Sequence, residues 1–423
     1  MTHRLTLTIL ASTLSLIGFA AQAQSLEEMR IELKTLRDEL NELKKSQLPE
    51  KPSGNPPLLD EKTRVSESKL AEANSSSDLP GAFKVPGSST SLRIYGFAEG
   101  HAIHDFKQSG PSDNFTDLAS QPLDSTNGRR GRTNLTVETS RLGFESATPT
   151  AKGPLSTKVE VDFYSYTEAN RNRLRLRHAY GEWNGWLIGQ TWSTFMDVDN
   201  LPETVDFNGA VGAPFSRRTM VRYAFGDDKA GYKFTFSAED PKDQFGGGSF
   251  GERTPQLIAR FDKTFDRGAF NMRALTHEKR SATQSKRGYG VGFGGRFKLT
   301  DKDVFMGQYT QVNGDIDHLF GSNGYAIDTP TGDIAFDKNQ GLVMGYSRTF
   351  NSQLRGSVVL GLNRGKTAQA LDNRTLQQLF ANLIYSPVKN LELGGEVIFG
   401  KRKNFIGEVG TMLRLDLMAR YSF

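Results

Sequence analysis

From Ser91 to the end of the chain, apolar and polar residues alternate with a period of two. Thr157, Val159, Val161 and Phe163 alternate with Lys158, Glu160, Asp162 and Tyr164. Leu257, Ala259 and Phe261 alternate with Ile258, Arg260 and Asp262. Leu413, Leu415, Leu417, Ala419, Tyr421 and Phe423 alternate with Arg414, Asp416, Met418, Arg420 and Ser422. Successive side chains of a strand point to opposite faces, so this pattern predicts strands with one apolar and one polar side. It recurs about every twenty residues, the signature of an antiparallel β-barrel that spans a membrane.

The connectors predicted between these strands alternate in length. Short ones fall at 149–153, 184–185, 226–229, 266–268, 300–303, 351–353 and 387–390. Asn184-Gly185 is tight-hairpin chemistry. Longer ones fall at 105–132, 165–172, 193–217, 240–254, 279–287, 313–340, 364–375 and 400–409. Seven short and eight long connectors make sixteen strands. An even count leaves both barrel ends on the short-turn side, which faces the periplasm in bacterial barrels. Trp183, Trp186, Phe225, Phe265, Phe270 and Tyr385 crowd the hairpin ends, as interfacial aromatic girdles do.

The first ninety residues read differently. Residues 1–23 have a basic start at His3 and Arg4, an apolar run from Leu5 to Ala21 and a small-x-small site at Ala21-Gln22-Ala23, a secretory signal peptide. In 24–46, Leu26, Met29, Leu33, Leu36, Leu40 and Leu43 alternate at spacings of three and four. That is the seam of a coiled coil, with Glu32 and Glu39 placed to meet Arg37 and Lys44 of a neighbouring helix. Such a seam is expected to assist an oligomer, since helices this short are marginal alone. Residues 47–90 are rich in Pro and Ser and read as a flexible linker. The expected order is signal peptide, periplasmic coiled-coil helix, linker, and an all-β barrel over 91–423.

Composition narrows the chemistry. Only 36% of the 423 residues are apolar, with 43 Gly and 28 Phe, which suits a barrel whose alternate residues face water. No stretch offers the eighteen or so consecutive apolar residues of a transmembrane helix after the signal. There is no cysteine and there are only 6 His, so no disulfide, thiolate or His-rich metal site is expected, and no cofactor. The net charge of +5 is too slight to imply nucleic acid. No Gly-x-Ser-x-Gly or His-Glu-x-x-His motif is present, so no catalysis is expected. The partners expected instead are membrane lipid and small solutes.

The polar phase carries the candidate chemistry. Arg173, Arg175 and Arg177 fall on one strand face, about 6.8 Å apart at a rise of ~3.4 Å per residue. A stack of like charges is tolerable in a water-filled lumen and costs about 2–4 kcal/mol per residue on lipid, so it predicts an arginine ladder down the pore. Arg222, Arg260 and Arg414 share the polar phase of their own strands. Rings of Arg favour anions, and the guanidinium binds carboxylate in two-pronged fashion. The connector 193–217 carries Asp197, Asp199, Glu203 and Asp206, then Arg217 and Arg218. Folded into the lumen, it would narrow the pore and set its acids against the ladder. In 313–340, Asp315, Asp317, Asp328, Asp333 and Asp337 lack calcium-loop spacing and are expected to be solvated at the surface.

Three features together resemble the DcaP-type trimeric outer-membrane porins of Gram-negative bacteria. They are the signal, heptad helix and linker; the stretch Arg173-Leu174-Arg175-Leu176-Arg177-His178-Ala179-Tyr180 leading to Gly189-Gln190-Thr191-Trp192-Ser193-Thr194-Phe195-Met196-Asp197; and the terminal Tyr421-Ser422-Phe423. The resemblance implies a homotrimeric diffusion channel preferring small anionic solutes, notably dicarboxylates. Tyr421 and Phe423 resemble the signal read by the outer-membrane insertion machinery. The alternative reading is a structural outer-membrane barrel whose coiled coil contacts the cell wall.

Overall fold

The computed structural model describes Lys34 and residues 79–107, 115–126, 131–164, 173–244, 251–328, 330–366 and 372–423. The signal peptide and the heptad seam from Leu26 to Leu43 lie outside the described residues. Within them, no helix is long and apolar enough to cross a membrane.

Sixteen antiparallel strands form one closed sheet. They are β1 (Ser91–Asp105), β2 (Arg132–Thr136 and Arg141–Thr148), β3 (Leu155–Asp162), β4 (Arg175–Trp183), β5 (Trp186–Trp192), β6 (Arg217–Asp227), β7 (Tyr232–Glu239) and β8 (Gln256–Phe265). Then come β9 (Gly268–Arg280), β10 (Ser285–Lys298), β11 (Asp303–Asn313), β12 (Lys338–Thr349), β13 (Leu354–Gly365), β14 (Asn373–Val388), β15 (Leu391–Asn404) and β16 (Val409–Ser422). Each pairs with the next, and β16 pairs back onto β1 from Phe97↔Ser422 to Asp105↔Arg414. Closure leaves no edge to template aggregation.

The side-chain pattern is that of a soluble protein turned inside out. Phe144, Val159, Ile188, Phe236, Phe293, Val358 and Leu417 are exposed on the outer face. Glu145, Glu160, Asp162, Asn271, Gln308, Asn382, Glu396 and Asp416 are buried on the inner one. A lipid-facing wall needs this arrangement, because hydrocarbon cannot solvate a charge. Trp186, Tyr223, Phe225, Phe234 and Phe261 form a girdle at the short-turn end, with Trp186–Tyr223 ring centroids 4.7 Å apart and Phe234–Phe261 4.9 Å apart. In the β4–β5 turn, Asn184 (φ 51°) and Gly185 (φ 83°) take the left-handed backbone that tight hairpins demand.

Three expectations are corrected. The connectors expected at 279–287 and 400–409 are four residues each, 281–284 and 405–408, because β9, β10, β15 and β16 run on past the last apolar residue. The linker expected up to residue 90 ends earlier: Phe83 and Lys84 pair with Leu92 and Ser91 and cover the part of β1 that β16 leaves open. Asp315, Asp317 and Asp337 are buried, not solvated, because their connector folds against the wall.

Candidate pore and its lining

The connector 193–216 lies along the inner wall and meets the strands in chain order. The amide of Thr194 donates to Glu239 Oε1 on β7 (2.8 Å), and Arg260 of β8 and Arg273 of β9 donate to the carbonyls of Met196 (2.6 Å) and Phe195 (2.8 Å). Arg296 of β10 donates to the carbonyl of Asp199 at 3.0 Å. Arg355 of β13 holds Glu203 by Nε (2.9 Å) and Nη2 (3.0 Å), while Asn382 of β14 donates to the Glu203 carbonyl. Glu396 of β15 accepts the amides of Val205 and Asp206. The connector therefore passes over nine strand positions before it turns back at Gly209 and Gly212, both at positive φ.

The return limb pairs briefly with Phe320, the Gly212 amide donating to its carbonyl at 3.3 Å and the Ala213 carbonyl accepting its amide at 2.9 Å, and then packs. Val211 and Ala213, with Leu118 from the first connector, bury against Val343, Val359, Leu376, Phe380, Ile398 and Met412 on the inner faces of β12–β16. Phe195 does the same with Ile258, Leu275, Val312 and Leu319. These inward apolar positions break the expected polar phase of the lumen, and the connectors cover them. Gly341 and Gly361 leave room for this close approach: a Cβ on Gly361 would stand 2.9 Å from Ala210 Cβ, and one on Gly341 would meet the Gly212 backbone, 2.7 Å from its Cα.

The acids of the connector are paired, but with other arginines than those of β4. Asp197 sits between Arg260 (3.6 Å) and Arg273 (3.9 Å) and accepts from Asn200. Burial alone would raise its pKa; Arg273 and Arg260 outweigh it and hold the carboxyl below its ordinary value. Asp206 accepts from the Thr116 amide and hydroxyl and lies 3.9 Å from Arg414. There burial wins and pushes the pKa up. Arg414 itself holds Asp105 with Nε and Nη2 (2.7 and 3.0 Å), and Arg260 grips Asp262. Arg218 is buried against Asp317 and the carbonyls of Asp240 and Lys242. Arg222 lies in the inward phase of β6 opposite Leu187.

The inner face of β1–β4 carries charge instead. Arg175 holds Asp162 with Nε (2.8 Å) and Nη2 (2.7 Å). Arg177 bridges Glu160 and Asp162, both at 2.7 Å. Arg141 lies 3.5 Å from Glu160, Lys158 lies 3.3 Å from Glu145, and Arg93 pairs with Glu145. Among the described residues this network joins five cations to three carboxylates. Arg173, the third rung expected, lies exposed two residues before β4 begins. A bulge sets Arg177 and His178 together against Glu160, so both point inward and the alternation shifts by one. Arg141, Lys158 and Glu160 of this network, and Glu396 and Asn382 beneath the connector, were not singled out in the sequence; their polar side chains in the inward phase were the available signal.

A second chain of ion pairs fastens the connector on the far side of β1. It runs from Glu203 through Arg355, Glu392 and Arg420 to Glu99, with His101 between Glu99 and Asp416. Tyr421 is exposed on the outer face, and the Phe423 amide donates to the Gly96 carbonyl at 3.0 Å. Among the described residues no group of three or more His, Cys, Asp or Glu is placed to hold a metal.

A closed sixteen-stranded barrel with an apolar outer wall, an aromatic girdle and a charged interior crossed by its own connector is an outer-membrane barrel of the porin type. The chain belongs to the DcaP outer membrane protein family, whose model matches residues 68–423. The crystal structure of the outer membrane channel DcaP of Acinetobacter baumannii is similar at 30% identity and a TM-score of 0.73, covering 81% of this chain and 100% of that one. An anion-selective porin from Comamonas acidovorans (12% identity, TM-score 0.56, 79% and 100% covered) and Salmonella typhi OmpF in complex with daunomycin (14%, 0.56, 81% and 100%) share the fold. No curated protein matches the chain in sequence. The protein is an outer-membrane channel.

Proposed function

We propose that the channel is a passive, homotrimeric diffusion pore that prefers small anionic solutes such as dicarboxylates. The observation that carries this reading is the excess of cations over carboxylates in the β1–β4 network, five against three. Charges that close, in a narrow space bounded by low-dielectric walls, attract counter-ions more strongly than they would in bulk water. The connector 193–216 covers the apolar inner faces of β8–β16, and its Phe207 lies against Arg175 and Arg177 at 5.7 and 5.6 Å, so a solute meets the partly exposed edges of Arg93, Arg141 and Arg175 on the β1–β4 wall. The chain from Glu203 to Glu99 carries more acid than base, so an anion keeps to the arginine side. The connector is thus the filter, Arg173, Arg175 and Arg177 the track, and a dicarboxylate would be handed from one guanidinium to the next. The heptad seam would steady the trimer in the periplasm, and the terminal strand would deliver the barrel to the insertion machinery.

The test is the ion selectivity of the Arg173→Gln/Arg175→Gln/Arg177→Gln variant in a planar bilayer. Removing two paired cations brings the network to three against three, and removing Arg173 takes a third positive charge from the mouth. Selectivity should move toward cations, with loss of any block by added succinate. Unchanged selectivity would reject the arginine track.

A further inference from the structure

Four arginines of this barrel grip a carboxylate with the same edge of the guanidinium. Nε and Nη2 of Arg175 hold Asp162, those of Arg260 hold Asp262, those of Arg355 hold Glu203, and those of Arg414 hold Asp105. Arg217, the first residue of β6, presents the same edge differently. Its Nε and Nη2 are shielded from solvent and have no hydrogen-bond partner among the described residues. No ion pair among those residues holds it either. Arg177, Arg175 and Arg141 act on it as like charges, with Asp162 as the acid opposing them.

The guanidinium is nonetheless fixed in place. Trp192 lies against it at 4.3 Å and Phe215 at 5.9 Å, two cation–π contacts from rings that pack edge to face, 5.2 Å apart. The Arg217 carbonyl accepts from Gln244 Nε2, which ties the strand end to the next connector. Beside it is a cavity of about 440 Å³ lined by Arg175, Arg217, Lys242, Leu176, Trp192 and Phe215. Asp240 and Asp243 also border this cavity but are engaged: Asp243 takes Lys279 and the Tyr325 hydroxyl, and Asp240 takes the Lys242 amide.

We propose that this cavity is a binding subsite for a carboxylate joined to an apolar body. One two-pronged edge of Arg217 takes the carboxylate, and Trp192 and Phe215 take the apolar part. A single unpaired two-pronged edge beside two aromatic rings suits one carboxylate carried on an apolar body. The inference rests on the anion-channel reading above and adds to it a place where a solute pauses.

The experiment uses the full-length protein in a planar bilayer, with block of the chloride current titrated by benzoate and, at equal charge, by acetate. Benzoate should block at about tenfold lower concentration than acetate, and Arg217→Gln should raise the benzoate requirement about tenfold. Arg217→Lys keeps the charge but lacks the two-pronged edge; it should raise the benzoate requirement nearly as far while keeping the chloride preference. Trp192→Leu should weaken benzoate and leave acetate unchanged, and each variant is checked for the heat-modifiable mobility of a folded barrel. Benzoate block unchanged in Arg217→Lys, or equal block by acetate and benzoate in the wild type, would overturn the subsite. A cation-selective wild type would instead overturn the anion-channel reading.

Discussion

Glu396 on β15 accepts the backbone amides of Val205 and Asp206 with its two carboxylate oxygens, at 3.0 and 2.9 Å. Asn382 holds the same carboxylate from β14 at 2.9 Å. The connector that leaves β5 is thereby fastened to the wall far around the barrel. Removing the acceptor strands two buried amides, each costing about 1–3 kcal/mol. Glu396→Ala should therefore give a folded but less heat-resistant barrel whose single-channel conductance is larger and noisier than that of the wild type. A steady wild-type conductance would show that the connector is held without this contact.

Arg355 provides the second fastening, with Nε and Nη2 on Glu203 and Nη2 also on Glu392 at 2.6 Å. Both side chains of the Arg355–Glu203 pair are partly solvated, so screening limits its worth. A double-mutant cycle between Arg355→Ala and Glu203→Ala, read by thermal unfolding, should give a coupling of about 1 kcal/mol. Additive losses would place the connector's stability in the apolar packing of Val211 and Ala213 instead.

The terminal residue closes the ring through Gly96. The amide of Phe423 donates to the Gly96 carbonyl at 3.0 Å, and the Phe423 carbonyl accepts from the Gly96 amide at 3.3 Å. A Cβ on Gly96 would lie 2.9 Å from the Phe423 ring and collide with the Arg141 carbonyl. Gly96→Val should slow barrel closure, seen as a lower folded fraction in refolding into detergent, whereas Gly181→Ala, whose added Cβ would meet only the Ser156 carbonyl oxygen at 3.9 Å, should not. Equal folded fractions would mean that the Phe423–Gly96 junction does not limit assembly.

Asp315 gives the structure an acid-sensitive point outside the strands. Burial would raise its pKa, but the charge and hydrogen bonds of His318, with His277 nearby, hold it below its ordinary 3.8. A carboxyl depressed in the folded state contributes stability that is complete above the unfolded value and lost as pH falls below it. The wild type should lose thermal stability between pH 5 and about pH 3. Asp315→Asn should start lower at pH 5 and lose less. A variant with the same pH slope as the wild type would assign that slope to other carboxylates.

Much of this architecture is legible in the chain because a barrel wall repeats one rule. Leu257 out and Ile258 in, or Leu417 out and Met418 in, follow from the period of two alone. Asn184-Gly185 announces its turn because few other pairs tolerate that backbone. What the period cannot carry is a change of phase. Arg173, Arg175 and Arg177 read as one even ladder, yet Arg173 precedes the strand and the bulge at Arg177–His178 puts two neighbours on one face. Nor can alternation tell which inward residues meet water and which meet a connector. Val359 and Phe380 are inward and apolar because the return limb of 193–216 covers them. Asp197, Glu203 and Asp206 were visible as candidates, but their partners Arg273, Arg355 and Glu396 lie some 75 to 190 residues away, beyond any local pattern.

The central claim is that this pore favours anions, and the reversal potential of the purified full-length protein in a planar bilayer under a KCl gradient tests it most directly. The charge surplus of the β1–β4 network predicts a zero-current potential on the chloride side, with currents closing in three equal steps and falling when succinate is added. A potential on the potassium side, or a barrel that inserts and does not conduct, would contradict it.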